Sequence, residues 1–279
     1  MNDISKNRIQ LAKKNFEKFK NENVVAAIVS GSIGKGYGDD NSDIDTFIFY
    51  DKPYTKKEYD KIVGEAKQSG GDIFHGSPKE GFAVYYYIDG IKCDFGFRDY
   101  REAEKLISGM LKMPEVDLMK HLQISGFIDS VILHGDKWIH KWRKKARKIP
   151  EDLLYFMVRN NLKFEPEWVM NTMAIERGDT LYLHEYYILA IDRIIWILCG
   201  LNKIYHPGKL KGIDNKIKQL DIKPVNFFER YREVFELSAE ESVKELFGLI
   251  RETMDLIDKH MPRQSTARIR RVLEMKLRK

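Results

Sequence analysis

The sequence predicts an α+β fold, with an N-terminal domain built on a small mixed sheet flanked by helices and an all-helical C-terminal domain. Three observations indicate this class. Short β-branched and aromatic runs dominate the first hundred residues, an Asp89-Gly90 dipeptide separates two of these runs, and helical periodicity dominates the second half. We therefore expect the two domains to span residues 1–140 and 141–279.

The elements of the N-terminal domain follow from the spacing of its apolar residues. Residues 4–20 carry apolar side chains at roughly helical spacing among lysines and predict an amphipathic helix. Residues 23–30 and 43–51 are rich in β-branched and aromatic side chains and predict two strands, whereas residues 55–68 predict a helix. Residues 82–97 predict a hairpin, because Asp-Gly suits the positive φ angles of a tight turn.

The remainder of the chain is predicted to be helical, apart from a short strand within residues 129–136. Prolines and glycines interrupt the periodic segments, as is typical at helix ends. The predicted helical stretches are 136–148, 151–176, 181–202, 225–237, 241–260 and the tail 262–279.

Charge is distributed unevenly along the chain. Residues 1–140 hold 20 Lys and Arg against 22 Asp and Glu, whereas the remaining residues hold 28 against 20 and end in a basic tail. This excess could attract nucleic acid, polyphosphate or an acidic partner, or it could be a solvated helix face. No apolar run approaches the roughly 20 residues of a membrane span, and the start lacks the apolar core of a signal peptide, so we expect a cytoplasmic protein without membrane contact.

The glycine-rich segment 29–51 matches neither familiar phosphate-loop pattern. In a P-loop, Gly-Lys is followed by Ser or Thr, but here Lys35 precedes Gly36. The dinucleotide pattern GxGxxG fails because Asp39 occupies the third glycine position. The glycines alone therefore do not identify a nucleotide site.

The aspartates of this segment predict a metal site. Asp43 and Asp45 should point to one face of a strand, while Ile44 points into the core. Two adjacent carboxylates repel each other unless a cation lies between them, and their oxygens suit Mg²⁺ or Mn²⁺. Asp94, flanked by apolar residues in the predicted hairpin, offers a third carboxylate, although it could also be an edge-strand acid facing water.

Residues next to the first strand predict a phosphate-binding edge for this site. Gly31 follows the strand directly and would let the backbone come close to a ligand. Ser32 offers a hydroxyl and an N–H near a helix start, and Lys35 adds a positive charge in the same turn. The alternative for Ser32 is an ordinary helix N-cap. Asp39 and Asp40 are expected to be solvated surface residues.

The order of these residues resembles the DNA polymerase beta-like nucleotidyltransferase superfamily. The matching residues are Gly31, Ser32, Asp43, Ile44, Asp45 and Asp94, within residues 24–98. The stretch "GSIGKGYGDDNSDID" is especially similar to the minimal and the aminoglycoside- and lincosamide-modifying nucleotidyltransferases, in which a basic residue is common at the position of Lys35. The helical second half resembles their C-terminal domains only weakly.

The resemblance implies a metal-dependent enzyme that moves a nucleoside monophosphate, here expected to be AMP from ATP, to an acceptor hydroxyl and releases pyrophosphate. It implies two divalent ions held by the three aspartates, and a small hydroxylated acceptor. The alternatives are a protein or RNA acceptor, or a regulatory module that binds nucleotide without catalysis.

The same resemblance suggests that the helical domain completes the nucleotide and acceptor cleft with an acceptor-activating carboxylate and additional basic groups. Glu185, Lys209 and Lys211 are the candidates, although each could equally be a surface residue. The sequence leaves the oligomeric state open, with a homodimer among the alternatives.

Overall fold

The computed structural model describes residues 1–276, which form two compact units. The first unit comprises Met1–Met113 and Gln123–Lys148, and the second comprises Pro114–Leu122 and the chain from Ile149 onward. The first unit contains a mixed sheet flanked by helices and the second is helical, which confirms the predicted α+β class.

The first unit alternates helices and strands along the chain. Its elements, in order, are α1 (Asp3–Phe16), β1 (Val24–Val29), α2 (Gly31–Lys35), β2 (Ile44–Tyr50), α3 (Lys56–Gln68), β3 (Asp72–Ser77), β4 (Gly81–Ile88), β5 (Ile91–Asp99), α4 (Tyr100–Lys112), α5 (Leu118–Asp129), β6 (Val131–His134) and α6 (Asp136–Ala146). Helix α5 begins in the second unit and ends in the first.

Among the described residues, the six strands form one sheet in the order β3-β4-β5-β2-β1-β6. Strands β2 and β5 are parallel, and every other neighbouring pair is antiparallel. Strand β5 therefore lies in the interior of the sheet, between β4 and β2, which excludes the alternative of an edge-strand position for Asp94.

The two faces of the sheet are covered differently. On one face Phe19, just beyond α1, packs against Phe95 and Phe97 of β5, with ring centroids 4.8 and 5.4 Å apart. On the other face Phe49 of β2 packs against Phe127 of α5 and Trp142 of α6, at 5.7 and 5.1 Å. Because side chains alternate along a strand, the residues of β2 on this second face include Asp45.

Several predicted elements are confirmed, and three were missed. The strands, the helix over 55–68 and the hairpin are present, with Asp89 and Gly90 both at positive φ. The short strand predicted within 129–136 is β6. Strand β3 was not predicted, because three of its six residues are exposed at the sheet edge and it lacks apolar alternation. Helices α4 and α5 lie outside the helical stretches that were predicted by residue range.

The second unit consists of helices and connecting segments within the described residues. They are α7 (Glu151–Asn161), a π-helix (Val169–Ile175), α8 (Thr180–Leu201), α9 (Asp214–Lys218), α10 (Phe227–Glu233), α11 (Ala239–His260) and α12 (Ala267–Leu273). The stretch 151–176 was predicted as one helical run, but α7 ends before Pro166, which lacks the N–H that a helix interior requires. The last three residues of the predicted basic tail lie outside the described chain.

None of the helices within residues 1–276 is sufficiently long and apolar to span a bilayer.

Candidate metal and nucleotide site

The structure brings the three predicted carboxylates together on one face of the sheet. One oxygen each of Asp43, Asp45 and Asp94 lies within 4.8 Å of the other two, and all three residues are partly buried. Asp45 and Asp94 face each other across the parallel strands β2 and β5. Parallel pairing therefore places side by side two acids that are far apart in the sequence.

This donor set fits a hard divalent cation. Within residues 1–276, three carboxylates converge without a sulfur or imidazole ligand, and such oxygen sites suit Mg²⁺ or Mn²⁺. Asp43 directly precedes β2, and its side chain is 37% exposed, whereas that of Asp94 is 21% exposed. The cluster is thus partly shielded from water but open to a ligand.

Gly31 lies directly against the carboxylate of Asp45. A Cβ atom on Gly31 would overlap Asp45 Oδ2, and the φ angle of Gly31 is +63°, in the left-handed region that disfavours other residues. The close approach therefore requires glycine for two reasons. Gly31 is also the first residue of α2, so the start of this short helix lies beside the acid cluster.

The loop between α2 and β2 is held by side chains of the N-terminal helix and its cap. The amide of Asn2 donates to the carbonyl of Gly38 at 2.7 Å, and the N–H of Gly38 donates to Ser5 Oγ at 2.9 Å. The guanidinium of Arg8 donates to the carbonyls of Asp40, at 2.7 Å, and of Ser42. These bonds fix the segment that leads into Asp43.

Asp39 has a structural function in this loop, beyond the surface position expected for it. Its carboxylate accepts hydrogen bonds from the N–H of Asn41 at 3.0 Å and from Ser42 Oγ at 2.9 Å. This is an Asx-type turn, in which an acidic side chain replaces a backbone acceptor. Asp40 remains exposed.

Lys92 belongs to the acid cluster, and the sequence interpretation missed it. Its Nζ atom lies 2.6 and 2.7 Å from the two oxygens of Asp94 and 3.5 Å from Asp43 Oδ2. The sequence could have indicated this position, because Lys92 precedes Asp94 by two residues on β5, and side chains two residues apart on a strand point to the same face. The ammonium therefore lies among the carboxylates that were predicted to bind metal.

Two aromatic rings, from the strands on the β3 side of β5, lie close to the ammonium of Lys92. Lys92 Nζ lies 4.9 Å from the ring centroid of Phe74 on β3 and 5.4 Å from that of Tyr85 on β4. Tyr85 is the direct neighbour of Asp94 across the antiparallel pair β4 and β5. The two rings contact each other at 4.8 Å, and Phe74 is 49% exposed. Cation–π attraction thus adds to the ion pairs of Lys92.

The proton equilibria of this group reflect burial and charge together. Burial raises the pKa of Asp94, and the ammonium of Lys92 offsets part of that increase. Burial lowers the pKa of Lys92, but the carboxylates of Asp94 and Asp43 outweigh it, so the pKa is raised overall. Lys92 is therefore a persistent cation in the cluster.

The phosphate-binding candidates occupy the short helix that starts beside the acids. The N-cap of α2 is Ser30, so the alternative assignment of Ser32 as the cap is wrong. Ser32 is the second residue of α2 and Lys35 the last, and both are partly exposed. Their roles in nucleotide binding stay predictions.

The three weaker candidates lie in the second unit. Glu185 is exposed on α8, and Lys209 and Lys211 are exposed in the irregular segment between α8 and α9. Their predicted roles in acceptor activation and phosphate binding likewise stay predictions.

Comparison with known proteins gives a family match for the part of the chain that carries the acid cluster. Residues 9–124 match the family model described as the nucleotidyltransferase domain. This part of the chain is similar to nucleotidyltransferase domains. The match includes all three aspartates and Lys92, and it supports the predicted enzyme class.

The other comparisons add little to this assignment. No curated protein matches the chain. Among solved structures, a nucleotidyltransferase-like protein from Exiguobacterium sibiricum is similar with a TM-score of 0.37 and 9% identity, over 90% of this chain and 77% of that one. A similarity at this level carries no argument about function.

Proposed function

We propose that the protein transfers a nucleoside monophosphate, AMP from ATP in our first expectation, to a hydroxyl of a small molecule and releases pyrophosphate. The observation that supports this proposal is the convergence of Asp43, Asp45 and Asp94 within the nucleotidyltransferase domain. The aminoglycoside- and lincosamide-modifying enzymes are the branch whose motif is most similar, which favours a small hydroxylated acceptor.

In the proposed reaction the acceptor hydroxyl loses its proton to solvent and its oxygen forms a bond to the α-phosphorus. The bond from that phosphorus to the α,β-bridging oxygen breaks, and pyrophosphate leaves with that oxygen. Asp43, Asp45 and Asp94 would hold divalent metal. Metal bound there would offset charge on the phosphates and favour ionisation of the acceptor hydroxyl. Gly31 would leave room for the triphosphate beside Asp45, while Ser32 and Lys35 would bind phosphate oxygens.

The test is to replace each acid by its amide and measure pyrophosphate release with each nucleoside triphosphate, Mg²⁺ or Mn²⁺, and a panel of acceptors. Asp43→Asn, Asp45→Asn and Asp94→Asn should each lower turnover by roughly 100-fold or more, since each removes electrostatic stabilisation of the transition state. A chelator should abolish activity, and Mn²⁺ should restore it.

Asp40→Asn is the matched control, because Asp40 is an exposed acid of the same loop whose backbone carbonyl makes the contact with Arg8. It should retain full activity. Unchanged turnover in all three amide variants would overturn the proposal. Nucleotide binding without pyrophosphate release on any acceptor would favour the regulatory alternative.

An RNA acceptor is the second candidate, and a groove in the second unit favours it. The groove has a volume of about 680 Å³, and its lining includes the cationic side chains of Arg159, Lys163, Arg193 and Arg268 against the single acid Glu165. Such a surface attracts phosphates in a salt-dependent manner. Transfer of label from α-labelled ATP to RNA, weakened by the double variant Arg159→Gln and Arg268→Gln, would support this acceptor.

A further inference from the structure

We propose that the ammonium of Lys92 is a built-in cation that takes the place of a second divalent ion, so that the acid cluster binds one metal ion. This inference rests on the proposed function, because it concerns how the same carboxylates are neutralised. It would make Lys92 a positioning residue for Asp94.

The distances favour an ammonium at Asp94. Lys92 Nζ contacts both oxygens of Asp94, at 2.6 and 2.7 Å, and so neutralises the carboxylate that a second metal ion would need as a ligand. Its contact with Asp43 is longer, at 3.5 Å, and involves one oxygen. The ammonium therefore lies closer to Asp94 than to Asp43.

The charge of the cluster agrees with a single metal ion. Three carboxylates and one ammonium leave a net of two negative charges, which one divalent ion balances. A second divalent ion at Asp94 would lie beside the ammonium, in a partly buried site where like charges repel strongly. The ammonium at Asp94 therefore disfavours a second divalent ion there.

The surroundings of Lys92 hold the ammonium at this position. Its stem lies on the interior strand β5, next to Asp94 on the same face, and its side chain is 30% exposed. The rings of Phe74 and Tyr85 lie 4.9 and 5.4 Å from the ammonium on the outer side. Two carboxylates and two rings thus favour the same location for one cation.

Mn²⁺ binding measured by electron paramagnetic resonance tests the inference without relying on turnover. The protein is titrated with Mn²⁺ in the presence of an ATP analogue that cannot be cleaved between the α- and β-phosphates, and the analogue alone serves as the blank. Wild-type protein should bind one Mn²⁺ per chain. Lys92→Gln, which keeps much of the stem and removes the charge, should bind two Mn²⁺, which give the signal of a spin-coupled pair.

Lys92→Arg restores the cation and should bind one Mn²⁺ without the coupled signal. Lys79→Gln, at an exposed lysine in the turn between β3 and β4, is the matched control and should behave as wild type. Circular dichroism of all variants checks that they are folded.

The outcomes separate the two proposals. Equal stoichiometry in wild type and Lys92→Gln, whether one ion or two, would overturn the role of Lys92 and leave the metal site intact. Absence of bound Mn²⁺ beyond the blank in both proteins would overturn the metal site and the inference together.

Discussion

The carboxylate of Asp45 occupies the space that a side chain on Gly31 would need. A Cβ atom built on Gly31 overlaps Asp45 Oδ2, and the positive φ of Gly31 adds a backbone reason for glycine. The backbone N–H of Ser30 also donates to the carbonyl of Asp45 at 2.8 Å. The segment that follows β1 therefore packs directly against the beginning of β2 at the acid cluster.

Gly31→Ala should therefore impair both stability and activity. The positive φ costs an alanine roughly 1 kcal/mol, and the overlap with Asp45 must move the carboxylate or the backbone as well. We expect a loss of roughly 1–3 kcal/mol in the free energy of unfolding, and a loss of most nucleotidyl transfer. Urea unfolding and pyrophosphate release measure the two effects.

Gly64→Ala is the control for this prediction. Gly64 lies in the interior of α3, where an added Cβ would meet no atom within 4 Å. Alanine has a higher helix propensity than glycine, so the free energy of unfolding of this variant should rise by up to about 1 kcal/mol, and its activity should be unchanged. Gly31→Ala with stability and activity equal to those of wild type would contradict the role assigned to Gly31.

Thr46→Val should stabilise the first unit or leave its stability unchanged. Thr46 is buried on β2 next to Asp45, and its Oγ1 atom has no hydrogen-bond partner among the described residues. Valine has nearly the same shape and removes a polar group whose burial costs roughly 1–3 kcal/mol when it is unpaired. The expected change in the free energy of unfolding is zero to about 1 kcal/mol of stabilisation.

Thr253→Val is the comparison for Thr46→Val, because Thr253 is buried on α11 and its hydroxyl donates to the carbonyl of Leu249 at 2.7 Å. This variant loses a hydrogen bond and should be destabilised by about 1 kcal/mol. Urea unfolding of both variants measures the two changes in the free energy of unfolding. Equal destabilisation of the two would show that the hydroxyl of Thr46 is satisfied in solution.

The acids of the site could be predicted because their signals are local. Asp43 and Asp45 are two residues apart on either side of a buried Ile44, which fixes their common face by alternation alone. That Asp45 faces Asp94 depends on the parallel pairing of β2 with β5, a long-range choice that no local pattern records. The resemblance to a known superfamily supplied this link instead.

The features that were missed depend on tertiary packing. A Cβ on Gly34 would overlap the backbone carbonyl of Val29, so glycine is required by close packing of α2 on β1. Lys92 was overlooked since a lysine on a strand is ordinarily a solvated side chain. Only the assembled sheet shows that its ammonium lies between two carboxylates and two aromatic rings.

Arg230→Gln should destabilise the second unit. Arg230 on α10 pairs with Glu245 and with Glu252 on α11, the latter at 2.8 Å, and its side chain is 19% exposed. Removing the guanidinium leaves two partly buried carboxylates beside each other without a cation. We expect a loss of about 1–3 kcal/mol in the free energy of unfolding, measured in urea.

Arg251→Gln is the matched control, since Arg251 lies on the same helix α11 and pairs with Glu167, but its side chain is 49% exposed. A solvated ion pair contributes less than about 1 kcal/mol. If the two substitutions cost the same, the burial of the Arg230 network would be irrelevant to its contribution.

Two buried histidines should make the second unit sensitive to acid. His121 Nδ1 accepts a hydrogen bond from the N–H of His206 at 3.1 Å, and His206 Nδ1 accepts from the N–H of Gly208 at 3.2 Å. Both rings are fully buried, and burial lowers the pKa of His121 to about 4 and that of His206 to about 3. His206 Nε2 lies 3.8 Å from Asp192 Oδ1, which is too long for a hydrogen bond, and burial keeps the ring neutral.

The direction of the pH effect follows from these pKa values. Above about pH 7.5 both the folded and the unfolded chains carry neutral histidines, because the ordinary pKa of histidine is about 6.5, so the free energy of unfolding is at its full value. As the pH falls, the two histidines of the unfolded chain take up protons. In the folded chain His121 stays neutral down to about pH 4 and His206 down to about pH 3. Each histidine should therefore lower the stability by about 2 kcal/mol between pH 7.5 and pH 5. Urea midpoints across this range, followed by circular dichroism, measure the loss.

His121→Asn separates this effect from general acid sensitivity. The asparagine oxygen can replace Nδ1 as acceptor for the N–H of His206, but asparagine takes up no proton in this range. The variant should lose about half of the pH dependence between pH 7.5 and pH 5. His260→Asn, at an exposed position near the end of α11, should leave the pH dependence of wild type unchanged. If His121→Asn instead retains the full dependence, protonation of other groups causes the acid sensitivity, because the buried ring has then contributed no proton uptake on unfolding.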